Sequence, residues 1–215
     1  MSLDTVYAVT DMFNKQSELE DILHPGWRSS KISVDEAIFT ELSEVLSELQ
    51  YKWWIPYQEP INITKVHAEL IDMWHFILLH HLMHHPLNTC TGQIPTCYRG
   101  AFNKEQAALV RQLLLSYAVQ SCNKKFYNID RFLSICALTG LQIDELYVHY
   151  IIKHAVNMFR ASIIKTYGVY NKSVFSGGDS MWAIDQWEAL RGSLSERHQE
   201  LQGLLMQTYK AKLNI

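Results

Sequence analysis

Glycine and proline are scarce, nine and five among 215 residues, about half their usual combined share of roughly 12%. A chain so poor in tight-turn residues is not a sandwich or barrel of many short strands, and a mostly helical fold is expected. Charge is sparse too. Charged residues make up 19%, and 19 Lys+Arg against 22 Asp+Glu give a formal charge of −3, where an average domain carries roughly 25% charged residues. Without a positive excess, partners held through a phosphate backbone or an anionic lipid surface are disfavoured, so neither nucleic acid nor membrane is expected. The 48% hydrophobic content excludes disorder and supports a sizeable core. The four cysteines, Cys90, Cys97, Cys122 and Cys136, form no CxxC pair, and MSLDTVYAVTDMF has neither the basic nor the apolar region of a leader. Reduced thiols in the cytoplasm or another reducing compartment are expected. The most apolar run, LIDMWHFILLHHLM at 70–83, carries Asp72 and three histidines and falls short of the ~20 residues of a membrane span. It reads as a buried helix.

What the chain does have is helical periodicity. Val6, Val9, Met12, Phe13, Leu19, Ile22 and Leu23 stop at His24-Pro25-Gly26, which predicts a helix over 4–23. Ser33 with Glu36 reads as a capping box that opens a second helix reaching residue 50. A third is expected over 64–85, ended by Pro86 and followed by a surface loop over 86–100. Further helices are expected over 104–122, over 129–139 with Gly140 closing it, and over 144–166. YGVYNKSVFSGGDS reads as a mobile segment, and one last helix is expected over 181–213. These elements suit one all-α domain over 1–215, with an inserted helical segment at 101–141.

Carboxylates recur on two of these helices. Glu41 and Glu44 are three apart and share a face, with Glu48 one turn on, and Glu69 and Asp72 repeat the spacing on the third helix. A lone ExxE is ordinarily a solvated face. Here the helices are otherwise apolar (Ile38, Leu42, Val45; Leu70, Ile71, Met73) and should pack closely. Like charges in a low-dielectric interior repel unless a cation sits among them. An all-oxygen donor set favours a hard ion, Mg²⁺ or Mn²⁺, and several carboxylates can hold two.

The run AIFTELSEVLSELQYKWW (37–54), followed by KVHAELIDMWHF (65–76), resembles the ExxE and ExxD motifs of the dimeric all-α dUTPases, members of the all-α nucleoside triphosphate pyrophosphatase group. KHAVNMFR (153–160) and YGVYNK (167–172) are similar to that family's downstream segment, a K-x3-N-x-F-R core with a Tyr-Gly and Tyr-x-Lys tail. NKQSELED, around Gln16, is similar to its N-terminal element. The order of the motifs is preserved from residue 16 to residue 172. The chain departs from the pattern at Glu20, where the family has Asn, and 86–141 and the C-terminal helix match no family pattern.

The resemblance implies an all-α helical bundle that works as an obligate homodimer and hydrolyses dUTP to dUMP and pyrophosphate. It implies two or more Mg²⁺ ions, with Mn²⁺ as a substitute, held by Glu41, Glu44, Glu69 and Asp72, and Glu41 as the catalytic carboxylate that also orients the attacking water. It assigns nucleotide binding to Gln16, Trp53, Phe76, Lys153, Asn157, Arg160, Tyr167 and Lys172. By analogy Trp53, Gln16 and Asn157 meet the base, Phe76 faces the deoxyribose, and Lys153, Arg160 and Lys172 serve the phosphates. Glu20 opens an alternative preference for dCTP or a modified base; a solvated Glu20 is expected with dUTP. A helical binding module without activity is opposed by the intact acidic motifs.

Other signals point to nothing catalytic. His80/His84 and His81/His85 have the i, i+4 spacing of helical zinc sites but no third ligand or HExxH glutamate, and read as surface or partly buried imidazoles near a helix end. Gly177-Gly178 lacks the Lys-Ser/Thr of a P-loop.

Overall fold

The computed structural model describes residues 4–84 and 102–213. These form eight α-helices, two 3₁₀ turns and no strand, so the all-α expectation holds. The chain divides into two compact units. One comprises Met1–Ser17 with Gly26–Tyr147, the other Glu18–Pro25 with Val148–Ile215.

The first unit is built on α1 (Thr5–Leu23), α2 (Val34–Glu48) and α3 (Ile63–His84). Ala8, Val9, Met12, Phe13 and Gln16 form the buried stripe of α1 within this unit. On α2 the buried stripe is Val34, Ile38, Leu42 and Val45, and the side carrying Glu36, Thr40, Ser43 and Glu44 is exposed. Ser33 is the N-cap of α2, but its side chain makes no cap hydrogen bond, so the expected capping box does not form. Asp35 and Glu36 in the first turn still suit the positive end of the helix dipole. Helix α3 is buried almost all round, through Val66, Leu70, Ile71, Met73, Trp74, Ile77, Leu78 and Leu79, as its apolar sequence requires.

Helices α4 (Lys104–Lys124) and α5 (Ile129–Leu138) occupy the segment expected as an insertion. They pack on α2 and α3 respectively, and Trp74 of α3 stacks on Phe132 of α5 at 5.5 Å. Asn103 and Gln106 form a reciprocal capping box at the start of α4. Gly140, at φ 92°, takes the left-handed turn after α5. The expected loop 86–100 and two of the four cysteines lie outside the described residues; Cys122 and Cys136 are free thiols.

Helix α6 (Ile143–Tyr167) begins in the first unit and ends in the second, which also holds α7 (Asp179–Trp187) and α8 (Leu194–Leu213). The single last helix expected over 181–213 is therefore two. The break has a local cause: Gly192 sits at φ 106°, and Ser193 and Glu196 form a reciprocal cap, the Ser193 backbone N–H donating to Glu196 Oε2 at 2.8 Å and Glu196 N–H to Ser193 Oγ at 3.3 Å. Phe159, Tyr170, Phe175 and Tyr209 form an aromatic cluster with centroid separations of 5.5–6.3 Å. Among the described residues no helix is long and apolar enough to cross a membrane.

Candidate active site

Packing of α2 against α3 brings the two acidic motifs together in the first unit. One carboxylate oxygen from each of Glu41, Glu69 and Asp72 lies within 4.8 Å of the others. All three side chains are half-buried, and Glu44 is more exposed. Burial, then the charges of Asp72 and Glu44, a hydrogen bond with Glu44 and the charge of Glu41 push the Glu69 carboxyl up to about 7. Glu69 thus holds its proton to a higher pH than a solvated carboxyl does. Three converging carboxylates, one of them raised by burial and neighbouring charge, fit a hard divalent cation, whose charge would offset both.

Phe76, one turn beyond Asp72 on α3, is half-buried. Gln16 is 2% exposed, and His75 Nδ1–H donates to its Oε1 at 2.8 Å. That bond fixes the amide of Gln16. Trp53 lies in the α2–α3 connection and is 88% exposed, meeting Trp54 edge-to-face at 5.6 Å. The connection is clamped by Gln50, whose amide donates to the Gln58 carbonyl and accepts from the Gln58 N–H, both at 2.7 Å. Trp53 and Trp54 form part of the wall of a cavity of about 850 Å³.

The remaining site residues named from the sequence lie in the second unit. Lys153 and Asn157 are half-buried one turn apart on α6, Tyr167 is the exposed last residue of α6, and Lys172 is exposed at the start of a 3₁₀ turn. Arg160 is committed elsewhere: its Nε and Nη2 meet Asp179 at 2.7 and 2.5 Å, and the Tyr170 hydroxyl also donates to Asp179. Burial alone would raise the Asp179 carboxyl, but Arg160 and Tyr170 outweigh it and hold it below the usual carboxylate range. Asp179 thereby ties the segment read as mobile to α6. The Asn171 N–H also bonds the Tyr209 hydroxyl at 3.1 Å.

Two further expectations are corrected. Glu20 is not solvated: it is 4% exposed and lies 3.0 Å from His24 Nδ1, one turn on. His80 and His81 are core residues, 1% and 0% exposed, with His81 Nε2 against the Tyr127 carbonyl. Residue 85, the partner of His81 in the spacing argument, lies outside the described residues. Sequence reasoning passed over His75 and Asp179. His75 is betrayed only by its place beside Phe76; Asp179, following Gly177-Gly178, had the signature of a helix start.

Two carboxylate-bearing helices of an all-α chain, with their acids converging on one point, define the class of all-α nucleoside triphosphate pyrophosphatases. A family model described as dUTPase matches residues 8–164. The chain belongs to the dimeric all-α dUTPase family and is a nucleoside triphosphate pyrophosphohydrolase of the dUTP diphosphatase kind. A search of curated proteins finds no match to the chain.

Proposed function

We propose that the protein hydrolyses dUTP to dUMP and pyrophosphate in a Mg²⁺-dependent reaction, as a homodimer in a reducing intracellular compartment. The observation that carries this reading is the convergence of Glu41, Glu69 and Asp72, with the Glu69 carboxyl raised by burial and by its acidic neighbours. Glu41, Glu44, Glu69 and Asp72 hold two or more ions, with Mn²⁺ able to substitute. Ions held there would neutralise the triphosphate and lower the pKa of the attacking water. Glu41 orients that water. Lys153, Asn157, Tyr167 and Lys172 contribute polar and cationic groups to the nucleotide by the family's motif, while Arg160, its fork taken by Asp179, supports the segment that carries Lys172. Trp53 offers a face to the base, Gln16 an amide oriented by His75, and Phe76 a ring that leaves no partner for a 2′-hydroxyl.

Pyrophosphate release from a panel of deoxynucleoside triphosphates, with Mg²⁺ and with EDTA, tests the reading. Turnover is expected with dUTP and Mg²⁺ only. Glu44→Gln and Asp72→Asn should lower kcat by more than about 100-fold while circular dichroism stays helical, since even outer-shell partners of a metal are worth 10–100-fold. Metal-independent turnover, or full activity in either variant, sinks the acidic centre.

The burial of Glu20 favours a second reading, a preference for dCTP, because a buried carboxylate accepts from a cytosine amino group and repels a uracil carbonyl. A wild-type preference for dCTP that reverses in Glu20→Asn establishes it; a dUTP preference in both proteins eliminates it.

A further inference from the structure

In the second unit the tail motif YGVYNK crosses a stretch between Gly168 and Gly177, at φ 77° and 75°, that has no helix of more than one turn. A cation carried on so permissive a segment would spend much of its binding energy on ordering the chain. Lys172 is nevertheless carried on a fixed turn, and the fixing comes from far along the sequence. The Asn171 N–H donates to the Tyr209 hydroxyl at 3.1 Å, and Lys212 Nζ donates to the Val174 carbonyl at 2.9 Å. Tyr209 and Lys212 are three apart on α8 and share a face. One helix therefore holds the turn immediately before Lys172 and again two residues after it.

The side chains around these bonds divide the labour. Tyr209 is 3% exposed and stacks on Tyr170 at 5.5 Å and on Phe175 at 6.3 Å, and the Lys212 ammonium stands 5.9 Å from the Phe175 ring. Those contacts need the ring of Tyr209 and the stem of Lys212, but neither the hydroxyl nor the ammonium. The two polar ends are spent on the backbone of an exposed turn. Between the bonded residues lie only Lys172 and Ser173. The Ser173 hydroxyl turns back onto Asn171 Oδ1 at 2.7 Å, and the Ser173 N–H donates to the same oxygen at 3.0 Å. Lys172 is exposed and forms no ion pair among the described residues. It is the one side chain on the turn left to meet an anion.

We propose that Tyr209 and Lys212 are positioning residues for the phosphates of the nucleotide, acting through Lys172: the hydroxyl and the ammonium hold the turn in place before the ligand arrives, so that the Lys172 cation binds without first ordering its own backbone. The inference rests on the proposed function, in which Lys172 serves the phosphates. It extends the binding apparatus into α8, beyond the residues 8–164 that the family model matches.

The test is a double-mutant cycle on the full chain. Tyr209→Phe combined with Lys212→Met removes both polar ends and keeps the ring and the stem; Lys172→Ala removes the cation. The probe is an α,β-imido analogue of dUTP with Mg²⁺, which resists cleavage at that bridge, read by calorimetry. The α8 double variant should bind it about tenfold more weakly than wild type, yet differ by less than about twofold once Lys172 is Ala. Deoxyuridine, which carries no phosphate, should bind all four proteins alike, and circular dichroism should stay helical. With dUTP as substrate, KM should rise about tenfold in the α8 double variant while kcat changes by less than about twofold. An equal loss in both backgrounds, or no loss in either, overturns the proposal, as does weakened deoxyuridine binding, which would mark a general loosening of the unit. Normal dUTP turnover with additive losses sinks the positioning role alone. A coupled loss of analogue binding in a protein that turns over no triphosphate sinks the proposed activity alone.

Discussion

Glu69 shows how a single residue reports on a site. Its carboxyl, about 7 in the fold against 4.5 unperturbed, keeps a proton that the unfolded chain has already lost between those values. Metal-free stability should therefore fall as the pH rises from below 4.5 through about 7, the direction opposite to that of a salt-bridged acid. Thermal melts in EDTA at pH 5 and pH 8 read this, and Glu69→Gln should flatten the decline and melt higher than wild type at pH 8; an unchanged profile in the variant removes Glu69 from the repelling cluster. Phe76 makes a different residue-level claim. Phe76→Ala should narrow the kcat/KM ratio of dUTP to UTP by about tenfold or more, with Mg²⁺ affinity retained. If the ratio stays as it was, the ring only fills space.

Helix ends separate what a cap motif says from what a cap does. Both Ser33-x-x-Glu36 and Ser193-x-x-Glu196 fit the capping-box pattern, yet only the second makes the bonds. Ser193→Ala should cost about 1 kcal/mol in urea unfolding, while Ser33→Ala stays within about 0.5 kcal/mol of wild type. Equal costs at the two positions contradict the assignment. Gly192→Ala should destabilise as well, because a Cβ at φ 106° would meet Glu196 Oε2 at 2.8 Å. The start of α7 shows a third use of a helix end, where Asp179, the first residue of the helix, faces Arg160 and Tyr170 and Gly178 stands at the cap. That buried pair contributes stability above the unfolded carboxylate value of 3.8, lost as the pH falls through its lowered folded value.

For the molecule as a whole, the acidic centre links folding to metal. A ligand that binds only the native state raises stability by RT ln(1 + [L]/Kd), about 2.7 kcal/mol at a hundredfold excess over Kd. Mg²⁺ should therefore raise Tm in wild type, and Asp72→Asn should lose most of that rise; a metal-induced rise that survives in the variant places the ion elsewhere. Light scattering tests the proposed homodimer directly, with a mass of twice the 25.0 kDa chain expected.

Periodicity and breakers placed α1 to α6 within a residue or two of their observed ends, because those signals are local and survive in any context that buries an apolar stripe. The acidic centre was legible for the same reason: residues three apart share a helix face, and two such pairs on apolar helices leave few arrangements. Local spacing did not place Glu20 or His80 and His81 in the interior, or close Arg160 and Tyr170 onto Asp179 across nineteen and nine residues. Burial and pairing of polar groups depend on which surfaces meet, and the same side chain is solvated or enclosed according to neighbours far away in the chain. Tertiary packing therefore decided the environment of each charge, while the sequence alone determined the helices that carry them.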